Sequence, residues 1–462
     1  MPPIAAFVLC LGFIGFVMRR DIKESSVSSG LWVPFVWIAV SASRPFSSWL
    51  HPGNLEARAQ NNFNYLEGNP TERVFLIVLI AAGLIVLYRR RNRFLVPFRS
   101  NVWLYLFYIL ALLSVGWADY QGVSIKRWIR GIGDIIMVLV VLTEDDDKEA
   151  IERVLRRVAI VLIPLSVIFV KYFRHYGVVF LRGSSPMWVG VSTHKNNLAL
   201  LCAFSALLLI WRVLKKWPRP DIFDLAVLVM ALYLLQGTAS ATSYIVLLLG
   251  TGILVLEAVT RGNPRRLNTM IVGCLVLLLV FNGLLVSASA VSASSLLFKA
   301  VGRNRTFTDR VPLWRDLIKI GGRNPIAGDG FGSFWLGSLT GLWARHPWRP
   351  TNGHNGYIDI FLDLGILGLL IMGFLIVQTY IKARDSIEDE WGSRRLLLAF
   401  TVMILVHNIT ESSLAMPTSF LWILFLMSAI TVVRKTGPPG RAEARSGAEN
   451  AAVKDPGSPA AF

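Results

Sequence analysis

Charged side chains are scarce in this sequence. Only 16% of its 462 residues are Asp, Glu, Lys or Arg, whereas soluble domains contain about a quarter. Apolar runs take their place, and 54% of the residues are hydrophobic. A helix needs about 20 apolar residues to cross the hydrocarbon core of a bilayer. The composition therefore excludes an ordinary soluble protein and predicts a polytopic membrane protein.

Acidic residues and cysteine are sparse as well. There are 29 Asp and Glu against 47 Lys and Arg, which gives a net charge of +18. A charge of this size is typical of nucleic-acid-binding proteins, but here the basic residues form short clusters between apolar runs, as in cytoplasmic loops. We therefore expect no nucleic-acid partner. Cys10, Cys202 and Cys274 lie apart inside apolar runs, which predicts buried hydrophobic side chains rather than disulfides or a metal site.

Apolar stretches that predict membrane helices recur along most of the chain, and we expect about 12 or 13 spans. The first stretch ends at Met18-Arg19-Arg20 without a small-residue cleavage pattern. It therefore predicts a membrane segment or anchor rather than a signal peptide. The candidate spans are residues 3–18, 30–43, 73–88, 101–118, 128–142, 154–172, 195–214, 222–236, 241–259, 268–287, 356–381, 396–411 and 415–433.

Five basic clusters orient these spans, because Arg and Lys are enriched in cytoplasmic loops. All five fall on one side: 89–93, 212–219, 261–266, 382–395 and 434–435. The C-terminal tail is rich in Gly, Ala, Pro and Ser, which predicts disorder. The predicted regions are N-terminal transmembrane helices (1–99), a central transmembrane bundle (100–286), a large periplasmic loop (287–355), C-terminal transmembrane helices (356–434) and a disordered cytoplasmic tail (435–462).

Two longer loops, at about 173–194 and 287–355, are predicted on the opposite side. A loop this long between membrane helices usually carries function or is disordered. The second contains four tryptophans, which argues for order, and its stretch PLWRDLIKI (Pro312–Ile320) predicts a short amphipathic helix. The candidate polar residues of this side include Arg182, His194, Lys195, Asn196, Arg310, His354, Asn355 and Asp359.

His354 begins the stretch HNGYIDIFLDLGILG, at the start of an apolar run. Histidine readily moves a proton near neutral pH, so His354 is a candidate base. A residue that only hydrogen-bonds to loop backbone at the start of a helix explains it equally well. Asp359 and Asp363 are four residues apart and share a helix face. Asp359 either orients His354 or lies in the membrane interface.

The other candidates have plain structural explanations too. Arg182 and Arg310 fit interfacial arginines that extend toward lipid headgroups. The pair His194-Lys195 fits a loop anchor at the membrane surface as well as a ligand contact. The acidic stretch EDDDKE (Glu144–Glu149) falls on the predicted cytoplasmic side. We predict that it is a solvated loop rather than a metal site.

The sequence resembles the O-antigen ligase and exopolysaccharide polymerase superfamily of bacterial membrane glycosyltransferases over roughly residues 100–430. The superfamily signature is His, then Asn, Ser or Gln, then nine residues and Gly-x-x-Gly. Here His354 and Asn355 are followed by nine residues, Gly365 and Gly368. These glycines predict close approach of a neighbouring helix or lipid. Further similar stretches are THKNNLA, Arg310–Trp314 followed by NPIAGDGFGSF, and HNITESS (His407–Ser413).

The resemblance implies an all-α polytopic fold, GT-C-like, in the bacterial inner (cytoplasmic) membrane. It implies transfer of a glycan from undecaprenyl diphosphate to a sugar hydroxyl at the periplasmic face, without metal or other cofactor. The acceptor is lipid A-core in a ligase or a growing polysaccharide in a polymerase, and the remaining partners are membrane lipids. His354 is then the base. The implied diphosphate- or substrate-binding residues are Arg310, Arg182, His194, Lys195, Asn355 and Asp359.

Several alternatives stay open at this point. Arg174 competes with Arg182 for the role of diphosphate ligand. In relatives the arginine that corresponds to Arg310 usually follows a glycine. Here it follows Asp309, which either weakens the binding of Arg310 to an anionic ligand or orients its side chain. A flippase for lipid-linked saccharides is the alternative function, and a structural membrane protein is a third. A flippase needs charges through the depth of a cavity, whereas these candidates gather on one side, which favours an enzyme.

Overall fold

A computed structural model of the protein describes residues 1–50, 69–91, 93, 101–180, 186–260, 310–337, 339–385 and 392–431. The predicted span 268–287, the predicted tail and Arg182 lie outside these residues. The helices of the described residues are α1 (Pro3–Glu24), α2 (Trp32–Ser41), α3 (Phe46–Leu50), α4 (Pro70–Arg89), α5 (Val102–Leu113), α6 (Gln121–Leu142), α7 (Asp147–Tyr172), α8 (Arg174–Gly177), α9 (Lys195–Lys215), α10 (Ile222–Thr238), α11 (Ala241–Thr260), α12 (Arg310–Gly321), α13 (Thr340–Arg345), α14 (Gly356–Asp385), α15 (Ser393–His407) and α16 (Phe420–Ile430).

This is an all-α polytopic membrane protein. Of the described helices, α1, α4, α9 and α14 are long and apolar enough to cross a membrane, and shorter apolar helices accompany them. A two-stranded antiparallel pair, β1 (Val178–Val179) with β2 (Met187–Trp188), lies in the loop between α8 and α9. Each predicted span within the described residues overlaps a helix. Several boundaries differ: α6 and α7 begin at Gln121 and Asp147, seven residues before the predicted spans, α15 ends at His407 and α16 begins at Phe420.

Buried ion pairs join α1, α7, α9 and α10 at one end of the bundle. Asp21 accepts hydrogen bonds from Arg156 and Arg157 at 2.9 and 2.8 Å. Asp224 accepts from Arg156 and Arg212 at 2.7 and 2.8 Å. Loss of one member of such a buried pair leaves an uncompensated charge and is strongly destabilising. We call this end, where α1 and α9 finish, the basic end.

The acidic stretch 144–149 also lies at the basic end, and the prediction of a solvated loop is wrong for Glu144. The Glu144 side chain is buried and accepts hydrogen bonds from Arg90 at 2.5 Å and from the Ser28 hydroxyl at 2.8 Å. Asp146 caps α7 by accepting a hydrogen bond from the Glu149 backbone at 3.0 Å. The spacing of charges could not reveal Ser28 and Arg90 as partners of Glu144, because they are more than 50 residues away in the chain.

The opposite end of the bundle, where α9 and α14 begin and α15 finishes, is called the outer end. Arg44, which follows α2, is buried there against the loop that leads into α9. Its guanidinium donates to the carbonyl oxygens of Tyr176, Gly190 and Val191 at 3.0, 2.7 and 3.0 Å. It also lies over the Trp49 ring, 5.3 Å from the centroid. The loop before α9 is therefore held in place by a side chain from the N-terminal region.

The described part of the long loop packs onto the outer half of α14. The predicted amphipathic helix is confirmed as α12, which begins two residues earlier than the stretch Pro312–Ile320. Its apolar face carries Leu313, Trp314 and Leu317, which form a small core with Phe334 of the loop and Leu362 of α14. This burial of apolar surface is the main force that holds the loop on the bundle.

The first glycine of the Gly-x-x-Gly motif explains why the loop lies at this position along α14. Gly365 has φ 64° and ψ −160° and interrupts α14, a conformation that is essentially restricted to glycine. The NPIAGDG stretch of the loop packs against this break in α14, where Ile366 N–H donates to Pro325 O at 2.8 Å. A Cβ atom at Gly365 would lie 2.2 Å from Ile326 O. The neighbour that needs the glycine is thus loop backbone rather than another helix or lipid.

Candidate active site

His354 lies in the turn that precedes α14, with φ 47°. Its backbone N–H donates to Asn352 Oδ1 at 2.9 Å. The cap of α14 is Asn355, whose Oδ1 accepts from Tyr357 N–H at 3.1 Å and Ile358 N–H at 3.3 Å. A left-handed conformation is uncommon outside glycine, and such strain is enriched at functional sites. The imidazole of His354 is therefore not needed as the helix cap.

The imidazole instead contacts a carboxylate that was not among the candidate residues. His354 Nδ1 lies 2.9 Å from Oε2 of Glu411, in the loop after α15. The other carboxylate oxygen accepts from Arg310 Nη2 at 2.8 Å and from Asn196 Nδ2 at 2.8 Å. Side chains from the starts of α9 and α12 and from the turn before α14 thus converge on Glu411.

The charges of this cluster determine which ring nitrogen of His354 carries the proton in the neutral imidazole. Burial opposes ionisation of Glu411, but the hydrogen bond from His354 and the charge of Arg310 outweigh it and lower its pKa to about 2. An ionised carboxylate only accepts hydrogen bonds, so Nδ1 of His354 must donate. In a neutral imidazole the lone pair is then on Nε2. The His354 side chain is 23% exposed, so the imidazole is partly accessible from outside the protein.

The loop that carries Glu411 is tied to the start of α14 by backbone. Gly356 N–H donates to Asn408 O at 2.9 Å. The Asn408 side-chain oxygen accepts from the backbone N–H groups of Ser413 and Leu414 at 3.1 and 3.0 Å. A Cβ atom at Gly356 would lie 2.1 Å from that same oxygen. The glycine therefore allows the contact that sets the distance between His354 and Glu411.

Asp359 supports the same two segments one turn into α14. One of its oxygens accepts from Gly353 N–H at 2.9 Å and from Trp335 Nε1 at 2.9 Å, and the other accepts from the Ser412 hydroxyl. Gly353 precedes His354 and Ser412 follows Glu411. The carboxylate thus accepts hydrogen bonds from the neighbours of both residues rather than from the His354 ring.

Arg310 opens α12 and is mostly buried, with its side chain 11% exposed. Besides Glu411 it donates to the Thr410 carbonyl oxygen through Nη1. A guanidinium has five N–H donors, so these two contacts use part of its capacity. Asp309 lies outside the described residues, as does Arg182. Arg174, the competitor of Arg182, is exposed and lies over the Phe180 ring, 5.5 Å from the centroid.

His194 and Lys195 stand where α9 begins. His194 is the N-cap, and its Nδ1 accepts from Asn196 N–H at 3.2 Å. Desolvation lowers the pKa of His194, although the Glu411 carboxylate opposes the shift. The ring is therefore neutral at pH 7. Lys195 is the first helical residue and is half-buried. Of the stretch THKNNLA, it is Asn196 whose side chain contacts Glu411.

Two comparisons identify proteins similar to this chain. Residues 225–373 match the family model described as O-antigen ligase, a range that includes Arg310 and His354. The chain is also 23% identical over 354 residues to exopolysaccharide production protein ExoQ of Rhizobium meliloti (strain 1021). That alignment covers 73% of this chain and 79% of the relative. Both similarities support the resemblance to the O-antigen ligase and exopolysaccharide polymerase superfamily.

The site prediction missed Glu411, and it named Asn196 among the polar residues without giving it a role. Asn196 and Glu411 both lie outside the matched range 225–373. They do lie inside THKNNLA and HNITESS, the stretches that resemble the superfamily. A polar residue directly beyond an apolar run was the available signal. Within the described ranges, no group of three or more His, Cys, Asp or Glu side chains is placed to hold a metal ion.

Proposed function

We propose that this protein is an enzyme of the bacterial inner membrane that transfers a glycan from undecaprenyl diphosphate to a sugar hydroxyl. The observation that carries the proposal is the cluster of His354, Glu411 and Arg310 at the outer end, opposite the buried basic end. It combines an accessible proton acceptor with a guanidinium group. The outer end would be periplasmic, because the basic clusters mark the cytoplasmic side.

His354 would act as the general base. Its Nε2 takes the proton of the acceptor hydroxyl while that oxygen forms a bond to the anomeric carbon of the donor. The bond from this carbon to the diphosphate oxygen breaks, and its electron pair remains on the diphosphate. The imidazolium that forms is stabilised by Glu411, 2.9 Å from Nδ1. A positioned base of this kind contributes about 10²- to 10⁴-fold to the rate.

Arg310 would stabilise the charge that develops on the leaving diphosphate. Guanidinium groups bind phosphate oxygens through paired N–H donors, and their charge is permanent. Glu411 and Thr410 hold Arg310 in place, so little reorganisation is needed when the charge develops. Arg182 would supply a second guanidinium from the loop before α9. With two such groups, we propose that no metal ion is required.

The remaining candidates would serve this reaction in supporting roles. Asn355 and Asp359 fix the backbone around His354. Lys195 would add positive charge at the start of α9, and neutral His194 would accept or donate a hydrogen bond. The loop 287–355 would then be the periplasmic cover of the site, and the tail 435–462 would be cytoplasmic.

The exopolysaccharide relative favours a growing polysaccharide as the acceptor, and hence a polymerase. The match to the O-antigen ligase model favours lipid A-core as the alternative acceptor. The two activities share the donor and the chemistry, so His354, Glu411 and Arg310 would have the same roles in both. A flippase for the same lipid would move the donor without any use for a base.

The deciding experiment uses the full chain in lipid nanodiscs with an undecaprenyl diphosphate oligosaccharide and an oligosaccharide acceptor. We expect release of undecaprenyl diphosphate together with an elongated saccharide, equally with and without chelator. His354→Ala should lower the rate by about 10²- to 10⁴-fold. His175→Ala, which removes an exposed histidine of the outer end, is the matched control and should remain active.

Each part of the proposal has a contrary result. Loss of activity in chelator would refute the metal-free mechanism. Full activity of His354→Ala would refute the base. Movement of intact donor across a vesicle bilayer, without elongated saccharide, would identify a flippase.

A further inference from the structure

A large aromatic surface stands open beside the proposed base. Trp348 is 44% exposed. Its ring centroid lies 5.5 Å from that of His354, with a tilt of 47° between the rings. The centroid of the His346 ring lies 6.5 Å away. The proposed mechanism, which needs a base and a guanidinium, makes no use of this tryptophan.

The turn that carries Trp348 is held rigidly. Trp343 Nε1 donates to Pro350 O at 3.1 Å, and Trp314 Nε1 donates to Gly353 O at 2.8 Å. Arg349, at the tip, has φ 50°, and its N–H donates to His346 O at 2.9 Å. A side chain presented on a fixed backbone loses little conformational entropy when a ligand binds.

The His346 ring anchors this turn to α12. Its Nε2 lies 3.0 Å from Asp316 Oδ2, and Asp316 also accepts from Arg345 at 3.1 Å. The anchor explains how the Trp348 ring stays exposed without the loop collapsing over it. An exposed aromatic ring beside the proposed base presents apolar surface to a ligand on which that base acts.

We propose that Trp348 is the platform for a pyranose ring of the acceptor, which places an acceptor hydroxyl at Nε2 of His354. The inference rests on the proposed function and names the residue that recognises the acceptor. A pyranose has a rim of hydroxyl groups and an apolar face of C–H groups. Such C–H groups carry partial positive charge and pack on the electron-rich face of an indole. The separation of the Trp348 and His354 rings is comparable with one sugar ring.

The competing explanation is an aromatic anchor in the membrane interface, where tryptophan is enriched. Trp348, however, lies close to the His354 and His346 rings and stands on a turn that is tied to polar groups. Trp117, which ends a short 3-10 turn after α5, is also 44% exposed and is not paired with the His354 ring. Trp348 and Trp117 therefore allow a comparison between a tryptophan beside the site and one of equal exposure elsewhere.

The test measures acceptor dependence of the full chain in nanodiscs. We expect Trp348→Ala to raise the KM for the oligosaccharide acceptor about 10-fold, which corresponds to the loss of one stacking contact. The kcat at saturating acceptor should change much less than the KM, because Trp348 acts through acceptor binding. Trp348→Phe should recover most of the affinity, because it keeps an aromatic face. Trp117→Ala should leave the KM for the acceptor unchanged.

A binding experiment separates failure of this inference from failure of the proposed function. The probe is a mixture of oligosaccharides of the source cell's own surface polysaccharide, observed by saturation-transfer NMR without donor. We expect saturation of sugar ring protons with the unaltered chain and its loss with Trp348→Ala. Equal saturation in both, or an unchanged KM in Trp348→Ala, would overturn the platform. Absence of product from the unaltered chain, with Trp348-dependent binding intact, would instead refute the transferase.

Discussion

His354 and Glu411 are 57 residues apart in the chain, yet Nδ1 of one lies 2.9 Å from Oε2 of the other. They are brought together by backbone, because the residue after Asn355 donates its N–H to Asn408 O. The geometry of the pair is thus set by the junction of α14 with the loop after α15. Any change that opens this junction should separate the base from its carboxylate.

Glu411→Gln should lower kcat by about 10²-fold or more. An amide has one acceptor and one donor group. If its oxygen keeps the contact with Arg310, its NH₂ group faces Nδ1 of His354, which must then accept. The proton moves to Nε2, and the ring can no longer act as a base. Loss of the correct tautomer has this kind of effect wherever a carboxylate orients a histidine.

The measurement that isolates this role is a double-variant comparison. In a His354→Ala background, Glu411→Gln should cause little further loss of kcat, since residues that act as a unit are not additive. Independent, multiplying losses would show that Glu411 does not act through His354.

Arg310→Lys should raise the KM for the lipid-linked donor and lower kcat together. An ammonium group keeps the charge but cannot contact Glu411, the Thr410 carbonyl and a phosphate oxygen in one planar arrangement. We expect a loss of about 10-fold or more in kcat/KM. Arg20→Lys is the control, because Arg20 forms an exposed pair with Glu24 at the basic end. Unchanged donor kinetics in Arg310→Lys would remove Arg310 from the diphosphate site.

The cluster should lose its stabilising effect only in strong acid. Glu411 has an ordinary pKa of 4.5, and the fold lowers it to about 2. Its stabilisation, on the order of 3 kcal/mol, is complete above pH 4.5 and disappears as the pH falls through about 2. Unfolding of the unaltered chain and Glu411→Gln should therefore differ by a constant amount between pH 7 and 5, and less below.

A surface pair provides the contrast for that pH series. Glu24 and Arg20 have side chains that are 46% and 42% exposed, and exposed pairs contribute less than about 1 kcal/mol. Glu24→Gln should leave the unfolding transition nearly unchanged at every pH. A gap for Glu411→Gln that stays constant down to pH 2 would contradict the lowered pKa.

Gly365→Ala should destabilise the chain by about 3 kcal/mol, since it combines a conformation open only to glycine with a steric clash. The new Cβ would lie 2.2 Å from Ile326 O, so the loop must leave the break in α14. Gly373→Ala is the matched control in the same helix, because no atom lies within 4 Å of the Cβ it would add. It should be neutral or slightly stabilising. Equal unfolding midpoints for the two variants would show that the break does not hold the loop.

The hydrophobic pattern predicted the helices well but placed the end of α15 too late. The run of apolar residues before His407 predicted a span to residue 411, whereas the helix finishes at His407. Asn408 turns the chain, and its side chain satisfies backbone N–H groups of the loop. The periodicity of apolar residues does not reveal that an asparagine side chain will compete for backbone hydrogen bonds and end the helix. The error hid Glu411, which lay inside a predicted span rather than in a loop.

The superfamily signature predicted His354 as a site residue but could not give it a partner. Asp359 seemed the natural choice, since it is close in sequence. In the structure Asp359 accepts hydrogen bonds from Gly353 N–H and the Ser412 hydroxyl. The carboxylate that contacts the His354 ring is that of Glu411, in the loop after α15. Contacts over this sequence distance depend on how the helices pack, which one sequence does not specify.

The position of Arg44 has a consequence for how this chain can be divided. The resemblance to the superfamily begins near residue 100, which makes the first helices look like a removable addition. Yet Arg44 donates hydrogen bonds to the carbonyl oxygens of Gly190 and Val191, just before His194 and Asn196. A chimera that combined residues 100–430 with the N-terminal helices of another protein would leave this loop without its anchor. The smallest transplantable unit of the site therefore includes the end of α2.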